Sequence, residues 1–314
     1  MKEFTFAIIT FNQERLVLDQ LESIKYQVRK FGQDYKIDLL VCDDSSRDRT
    51  VESVTRWTEA NKYLFSSIKI YHHKKNLGTV ANYMFALKKV KTSTFKLLAG
   101  DDLYSFRNIF EIGGKQNVLL TPTLKFDGEN ILHKDIWYFY KELLCTPEHK
   151  WKKLIKNRIK FQMPIETPGV FWSSELITDE LFQELSKYHW IEDIPVWNYL
   201  INQEVTRLYF STQPLILYRV DSGISLNKKH IKKTEFDDEL INITKNIMVS
   251  RKGLPKGLNV LTYIYWLRRK VLFSLNKARL DAFVSKISEE EQLAKAYTDK
   301  IIESANQFYE KVYN

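Results

Sequence analysis

Residues 4–12 read Phe4-Thr5-Phe6-Ala7-Ile8-Ile9-Thr10-Phe11-Asn12, an apolar, strand-forming run that ends in polar residues. The pattern returns at Ile37–Cys42, which runs into Asp43-Asp44-Ser45-Ser46. It returns again at Ile68–His72, followed by Asn76-Leu77-Gly78, and at Phe95–Ala99, followed by Gly100-Asp101-Asp102. Between these runs the apolar spacing changes. Leu18, Leu21, Ile24 and Val28 in Glu14–Phe31 follow steps of three and four, the period of a helix. Val80, Tyr83, Met84 and Leu87 do the same in Thr79–Val90. Ser46–Ala60 reads as another helix, with Asp48 near its start. Strand alternating with helix predicts an α/β fold, a mostly parallel sheet with helices on both faces. In such sheets ligands bind beyond the carboxyl ends of the strands. A single polar turn carries no chemistry, because Asp, Asn, Ser and Gly form turns anyway. Four at one sheet edge make a candidate site.

After Asp102 the alternation weakens. Asn117–Leu120, Gly169–Ser173, Thr206–Phe210 and Leu215–Tyr218 are strand-like. Trp137–Phe161 looks largely helical, Ser174 is placed to cap a helix, and Ile194–Asn202 is a helical apolar stretch. From Gly257 onward Val260, Ile264, Leu267, Val271, Leu275, Ala278 and Ala282 form one helical stripe, and Glu289–Tyr309 reads as a second helix. The expected organisation is one α/β domain in two halves, residues 1–103 and 104–225, with a C-terminal helical region over 226–314.

The 314 residues are 44% hydrophobic and 28% charged, which excludes a disordered or fibrous chain. Cys42 and Cys145 lie far apart, make no zinc spacing or disulfide framework, and fit a reducing, cytoplasmic compartment. The apolar N-terminal run reads as a first strand, not a signal peptide. The longest charge-free stretches, Leu208–Tyr218 and Gly257–Leu267, fall short of the about 20 apolar residues a spanning helix needs. Net charge is +9, with basic clusters in Lys150–Lys160, Lys228–Lys233 and Arg268–Lys270. That excess favours an anionic partner: a nucleotide, a nucleic acid or an acidic membrane surface.

The acidic elements are Asp43-Asp44, Asp101-Asp102 and Glu192-Asp193. Carboxylates gathered at a sheet edge repel an anion unless a cation bridges them. Hard oxygen ligands select Mg²⁺ or Mn²⁺, which also take phosphate oxygens. The residues therefore read as a metal-bridged diphosphate near Asp102, with Asp43-Asp44 open to a base or ribose. Glu192-Asp193 would supply a carboxylate base from the other half. Each has a plainer alternative. Asp44, Asp101 and Asp102 suit turns or helix caps, Glu192-Asp193 suits a helix dipole, and Arg219 suits a surface ion pair. A nucleotidyltransferase would want a glycine-rich loop after the first strand, and Thr10–Glu14 contains no glycine. A nucleic-acid binder would want exposed aromatics among the basic residues, and the acidic edge argues against it.

In order, Ala7–Asn12, Asp43-Asp44-Ser45-Ser46-Arg47-Asp48-Arg49-Thr50, Asn76–Asn82 and Leu98-Ala99-Gly100-Asp101-Asp102 resemble the inverting family 2 glycosyltransferases of GT-A fold. The resemblance covers roughly residues 3 to 225 and is closest in the first hundred. It implies a nucleotide-sugar donor, UDP favoured and dTDP not excluded, a Mn²⁺ or Mg²⁺ ion, and inversion at the anomeric carbon. It also implies a glycan or lipid-linked glycan acceptor. Another nucleotide-dependent transferase, or an inactive nucleotide-sugar binder of the same fold, is the alternative.

The resemblance also implies roles. Thr10 and Asn12 would border the nucleoside, with Phe11 an apolar wall. Asp44 would bind uracil, Gly78 and Asn82 would join the donor contacts, and Asp101 would approach the ribose. Asp102 would hold the metal, with Asp221 a further ligand. Glu192-Asp193 resembles the family's Glu-Asp pair, whose aspartate is the base, so Asp193 is the expected base. Tyr218-Arg219-Val220-Asp221-Ser222-Gly223 resembles a motif that closes over the diphosphate, with Arg219 as its cation. Three departures stand out: Ser45 where glycine is usual, Gly100-Asp101-Asp102 where Asp-x-Asp is commoner, and Asp221 where histidine often stands.

The basic, aromatic C-terminal stripe is expected to rest on an anionic membrane surface, at the inner face of the membrane. Packing on the catalytic domain or on a second copy of the chain is the alternative. On the membrane reading, truncation before Gly257 would spare catalysis.

Overall fold

The computed structural model describes residues 1–113, 117–132, 138–160, 165, 167–222, 233–246 and 256–313. Most of the basic run at residues 228–233, the end of the Tyr218–Gly223 motif, Trp137 and Phe161 lie outside them.

The first half folds as its periodicity dictates. Strands β1 (Lys2–Thr10), β2 (Tyr35–Asp43), β3 (Ser67–His72) and β4 (Phe95–Ala99) form one parallel sheet in the order β3-β2-β1-β4. Phe4, Phe6 and Ile8 register with Ile37, Leu39 and Val41, so they share one face. There they pack with Leu18, Leu21 and Ile24 of α1 (Leu16–Phe31) and with Val54 and Trp57 of α2 (Thr50–Asn61). Ala7, Leu40 and Cys42 point to the opposite face and meet Ala86 of α3 (Thr79–Lys89). With both faces covered, the strands read as near-continuous apolar runs.

Short strands complete the second half. β5 (Leu103–Tyr104), β11 (Ile216–Arg219), β7 (Thr123–Phe126) and β8 (Ile131–Leu132) pair in that order, and β10 (Leu208–Phe210), β6 (Val118–Leu120) and β9 (Val170–Trp172) form another sheet. Helix α4 (Ile109–Gly113) follows β5. The predicted long helix over 137–161 is two helices, α5 (Tyr138–Cys145) and α6 (Trp151–Lys160), separated at Thr146-Pro147 because proline lacks the amide a continuous helix needs. Ser174 does not cap a helix. Ser173 caps the following 3-10 turn, and Thr178 caps α7 (Asp179–Leu185). Helix α8 covers Asp193–Asn202, and α9 covers Lys233–Asn246.

The C-terminal stripe breaks at Asn276, into α10 (Lys256–Leu275) and α11 (Lys277–Tyr313). Helix α11 continues through Glu289 without interruption and lies along α1 and α2. It buries Leu280, Phe283, Ile287, Ala294, Tyr297, Ile301 and Ala305. Arg107 makes a paired hydrogen bond to Glu290, and Tyr297 donates to the Tyr104 carbonyl. Packing on the α/β domain therefore accounts for α11, and truncation before Gly257 would strip this core. Helix α10 differs: Tyr263, Ile264, Leu267, Val271 and Leu275 are exposed. Among the described residues no helix is long and apolar enough to cross a membrane.

Candidate active site

The ends of β1 and β2 are tied together by short polar contacts. The Asp44 amide donates to the Thr10 carbonyl, the Asn12 amide to Ser46 Oγ at 2.8 Å, and the Arg47 amide to Asn12 Oδ1 at 2.9 Å. Asp43 is buried and accepts from the Ser46 amide and hydroxyl, with His72 Nδ1 at 2.6 Å. These bonds hold the turn in a tight conformation, and Ser45 pays for it with φ +68°. That is the left-handed region glycine enters freely, which explains why glycine is usual at this position. The same turn delays α2, which begins at Thr50 with Asp48 accepting its amide.

Asp44 is buried, and its two oxygens accept the amides of Leu77 at 2.7 Å and Gly78 at 3.0 Å. Burial raises its pKa, against the lowering effect of those amides. Asn82 is also built in: its amide donates to the Cys42 carbonyl and its oxygen faces His73 Nε2. Thr10 donates to Gln13 Oε1, while Phe11 is exposed. Gly78 has φ +90°, and a Cβ there would lie 2.4 Å from the His189 ring. Glycine thus lets the segment before α8 press onto the start of α3, where the Val80 amide donates to the His189 carbonyl.

That segment carries Glu192 and Asp193, both half-buried at the start of α8. Asp193 Oδ1 accepts the Ile194 amide at 2.7 Å, and Glu192 makes no cap with its side chain. Burial, then repulsion from Asp193, pushes Glu192 up to about 8. Burial also raises Asp193, against the Ile194 amide. Both carboxylates act on buried Tyr83 of α3, whose pKa is raised first by burial. Burial thus holds both carboxyls above the ordinary carboxylate range.

A second cluster forms where β4 ends beside β11. Asp101 and Asp102 are buried. Asp102 Oδ1 accepts the Arg219 amide, and Asp101 Oδ2 accepts from Ser222 Oγ at 2.6 Å. Asp102 is pushed well above the ordinary range by burial, then by Asp101. Lys96, buried in β4, is lowered to about 7 by burial and donates to the Val170 carbonyl. Arg219 turns inward. Its Nη2 donates to Asp19 at 2.7 Å, its Nε donates to the Asp101 carbonyl, and its Nη1 lies 3.8 Å from Asp221. Packed over Phe126 and nearly fully buried, this guanidinium does not reach outward in this conformation.

Sequence reading passed over Asp19 and Lys96, because each lies within the apolar pattern of a helix or strand. The only signal was a charged residue on a face that should be apolar.

The donor set is all carboxylate oxygen, the chemistry of Mg²⁺ or Mn²⁺. Among the described residues no three metal-ligating side chains converge. The cluster thus fits a cation held by one or two carboxylates and completed by diphosphate oxygens and water, and does not fit an all-protein cage.

The profile of glycosyl transferase family 2 matches residues 5–182, more than half of the chain. The chain belongs to glycosyl transferase family 2. Solved glycosyltransferases share its GT-A fold. TarS 1–349 from S. aureus in complex with UDP-GlcNAc is 17% identical at a TM-score of 0.53, over 97% of this chain and 81% of that one. The mannosyltransferase PcManGT from Pyrobaculum calidifontis, in complex with GDP-Man and Mn²⁺, is 15% identical at a TM-score of 0.50, over 96% and 85%. No curated protein matches. This family 2 enzyme is a glycosyltransferase, and its two polar clusters lie at the carboxyl edge of the sheet, where α/β folds place their ligands.

Proposed function

We propose that this family 2 enzyme transfers a sugar, with inversion, from a UDP-sugar to a hydroxyl of a glycan or lipid-linked glycan acceptor. The observation that carries the reading is the half-buried Glu192-Asp193 pair, seated against α3 beside the turn that holds Asp44. Inversion needs one displacement, so a single carboxylate takes the proton of the acceptor hydroxyl as that oxygen attacks the anomeric carbon. Asp193 is that base, and the electron pair of the breaking bond leaves with the diphosphate.

Residues 1–103 bind the donor and residues 104–225 the acceptor. Thr10 and Asn12 border the nucleoside, and exposed Phe11 offers an apolar wall. A carboxylate has about four acceptor sites, so Asp44 can hold its two amides and still accept a uracil imide. Gly78 and Asn82 shape the donor pocket through the backbone they fix, and Asp101 faces the ribose. A Mn²⁺ or Mg²⁺ ion at Asp102, with Asp221 near it, would offset charge on the leaving diphosphate.

A panel of nucleotide sugars read by melting temperature, with Mn²⁺ and with EDTA, tests the donor class, because ligand binding stabilises by mass action. UDP-sugars with Mn²⁺ should give the largest rise, and Asp102→Asn should abolish the metal-dependent part. A larger rise with GDP-mannose, or metal-dependent UDP affinity unchanged in Asp102→Asn, would contradict the assignment.

The acceptor side of the proposal includes the membrane surface. On α10 the exposed Tyr263, Ile264, Leu267, Val271 and Leu275 share a face, and exposed Arg268 and Lys270 lie to either side, each roughly 70–90° away by helical geometry. Arg269, nearly opposite, is buried and pairs with Glu142. An apolar centre between cations suits an anionic bilayer interface. The enzyme should sediment with anionic vesicles and not neutral ones, and Leu267→Glu with Val271→Glu should release it without altering donor hydrolysis. A chain that ignores anionic vesicles at low salt and dimerises through this face would refute the membrane reading.

A further inference from the structure

Three consecutive amides precede the catalytic pair, and one carboxylate takes all of them. Glu239 of α9 accepts the His189 amide at 2.6 Å, the Trp190 amide at 2.9 Å and the Ile191 amide at 2.8 Å. The next residues are Glu192 and Asp193. Nothing local dictates this pairing, since Glu239 lies 48 to 50 positions further along the chain. Helix α9 brings it there through its own spacing. Phe236 and Ile243, three residues before and four after Glu239, share its helix face. Ile243 is fully buried in the core, and Phe236 packs against that core.

The segment 189–191 is thus pinned from two sides. On one side the His189 carbonyl accepts the Val80 amide and the His189 ring lies against Gly78. On the other side stands the Glu239 carboxylate. We infer that Glu239 is a positioning residue for the Glu192-Asp193 pair, fixing the backbone that aims the base. The inference rests on the proposed role of that pair.

A purely structural peg has no need of charge here, because a glutamine oxygen would also accept amide hydrogens. The negative charge matters because it acts on Glu192. Among the described residues, Asp193 on α8 and Glu239 on α9 act on Glu192, and Glu192 in turn acts on Tyr83 of α3. Glu239 acts on Glu192 in the same direction as Asp193, favouring the protonated form.

The test is steady-state UDP release from UDP-GlcNAc, or from the UDP-sugar chosen by the thermal-shift panel, across pH for wild type, Glu239→Ala, Glu239→Gln and Glu239→Asp. Glu239→Ala should lose roughly tenfold or more in kcat with the donor KM little changed, the expected cost of a misaimed base. Glu239→Gln should recover most of kcat by restoring an acceptor. In both variants the alkaline step of the profile, where Glu192 ionises near 8, should move to lower pH, because the charge acting on Glu192 is gone. Unchanged kcat and profile in all variants would overturn the inference. So would a loss of kcat that only tracks melting temperature while the alkaline step stays put. Failure of the underlying reading looks different: Asp193→Asn and Glu192→Gln would both stay active.

Discussion

Asp193→Asn is expected to bind the donor as wild type does and to lose at least about a hundredfold in turnover, the low end of a general-base contribution. The site geometry explains why binding should survive. Asp193 sits at the first position of α8, and Asn can keep the contact of its side-chain oxygen with the Ile194 amide. Among the described residues no side chain donates to the other Asp193 oxygen, so the substitution breaks no buried pair. What it removes is a carboxylate that can take a proton. The pH dependence follows from the pair. Both groups are raised by burial, Glu192 to about 8. The pair therefore loses its first proton above the ordinary carboxylate range and its second near the alkaline side of neutral. A base works only when ionised, so activity should fall as pH drops through the first of these steps. The acid limb should lie above about pH 4, where an unperturbed aspartate would put it. If Glu192→Gln is dead and Asp193→Asn is active, Glu192 is the base. If both are active, the base lies elsewhere.

The parallel sheet was legible in the sequence because its strands are buried on both faces. Phe4–Thr10, Ile37–Cys42 and Phe95–Ala99 are mostly apolar, with Thr5, Asp38 and Lys96 as the interruptions inside them, and each structural strand matches within two residues. The second half was harder to read for a physical reason. Its strands have two to four residues, too few to show a period, and β5, β7 and β8 went unseen. Apart from the β7–β8 hairpin their pairing is non-local, as with β11, which joins β7 from some ninety positions away. The C-terminal stripe reads as one helix because Val260–Ala282 keeps its spacing across Asn276. A single turn residue bends the chain without disturbing that spacing.

The site divides along the same line. Residues at strand ends could be found because an apolar run stopping at Asp or Asn is visible. Their partners could not. Asp44 gives no sign that its carboxylate holds Leu77 and Gly78. Glu239 lies in an acidic helix among Glu235, Asp237 and Asp238, with nothing to distinguish it until the fold sets it on three amides. The departure at Ser45 is the reverse case. The sequence marked it as unusual, and the backbone supplies the reason in a positive φ.

Arg219→Met is expected to destabilise the enzyme by about 3–5 kcal/mol at pH 8, the usual cost of removing one partner from a buried ion pair. The guanidinium joins three elements: Asp19 on α1, the Asp101 carbonyl after β4, and its own strand β11. Removing it leaves Asp19 buried without its partner. Burial already pushes Asp19 up to about 7, with Arg219 pulling it down. In wild type, then, the folded state holds a proton between about pH 4 and 7 that the unfolded chain has released. A state that binds the extra proton loses stability as pH rises, so stability should fall across that window. In Arg219→Met the Asp19 pKa rises further and the fall continues above pH 7. Asp19→Asn should remove the share of the slope that Asp19 contributes in either background, leaving the shares of Asp44, Asp102 and the Glu192-Asp193 pair. Combining Asp19→Leu with Arg219→Met should recover much of the loss, because replacing both partners of a buried pair by apolar groups is often neutral. Urea melts from pH 4 to 9 decide the matter. A loss below about 1 kcal/mol, the range of an exposed pair, would mean that the guanidinium is free of Asp19 in solution. It would then be available to the diphosphate, as the resemblance implies.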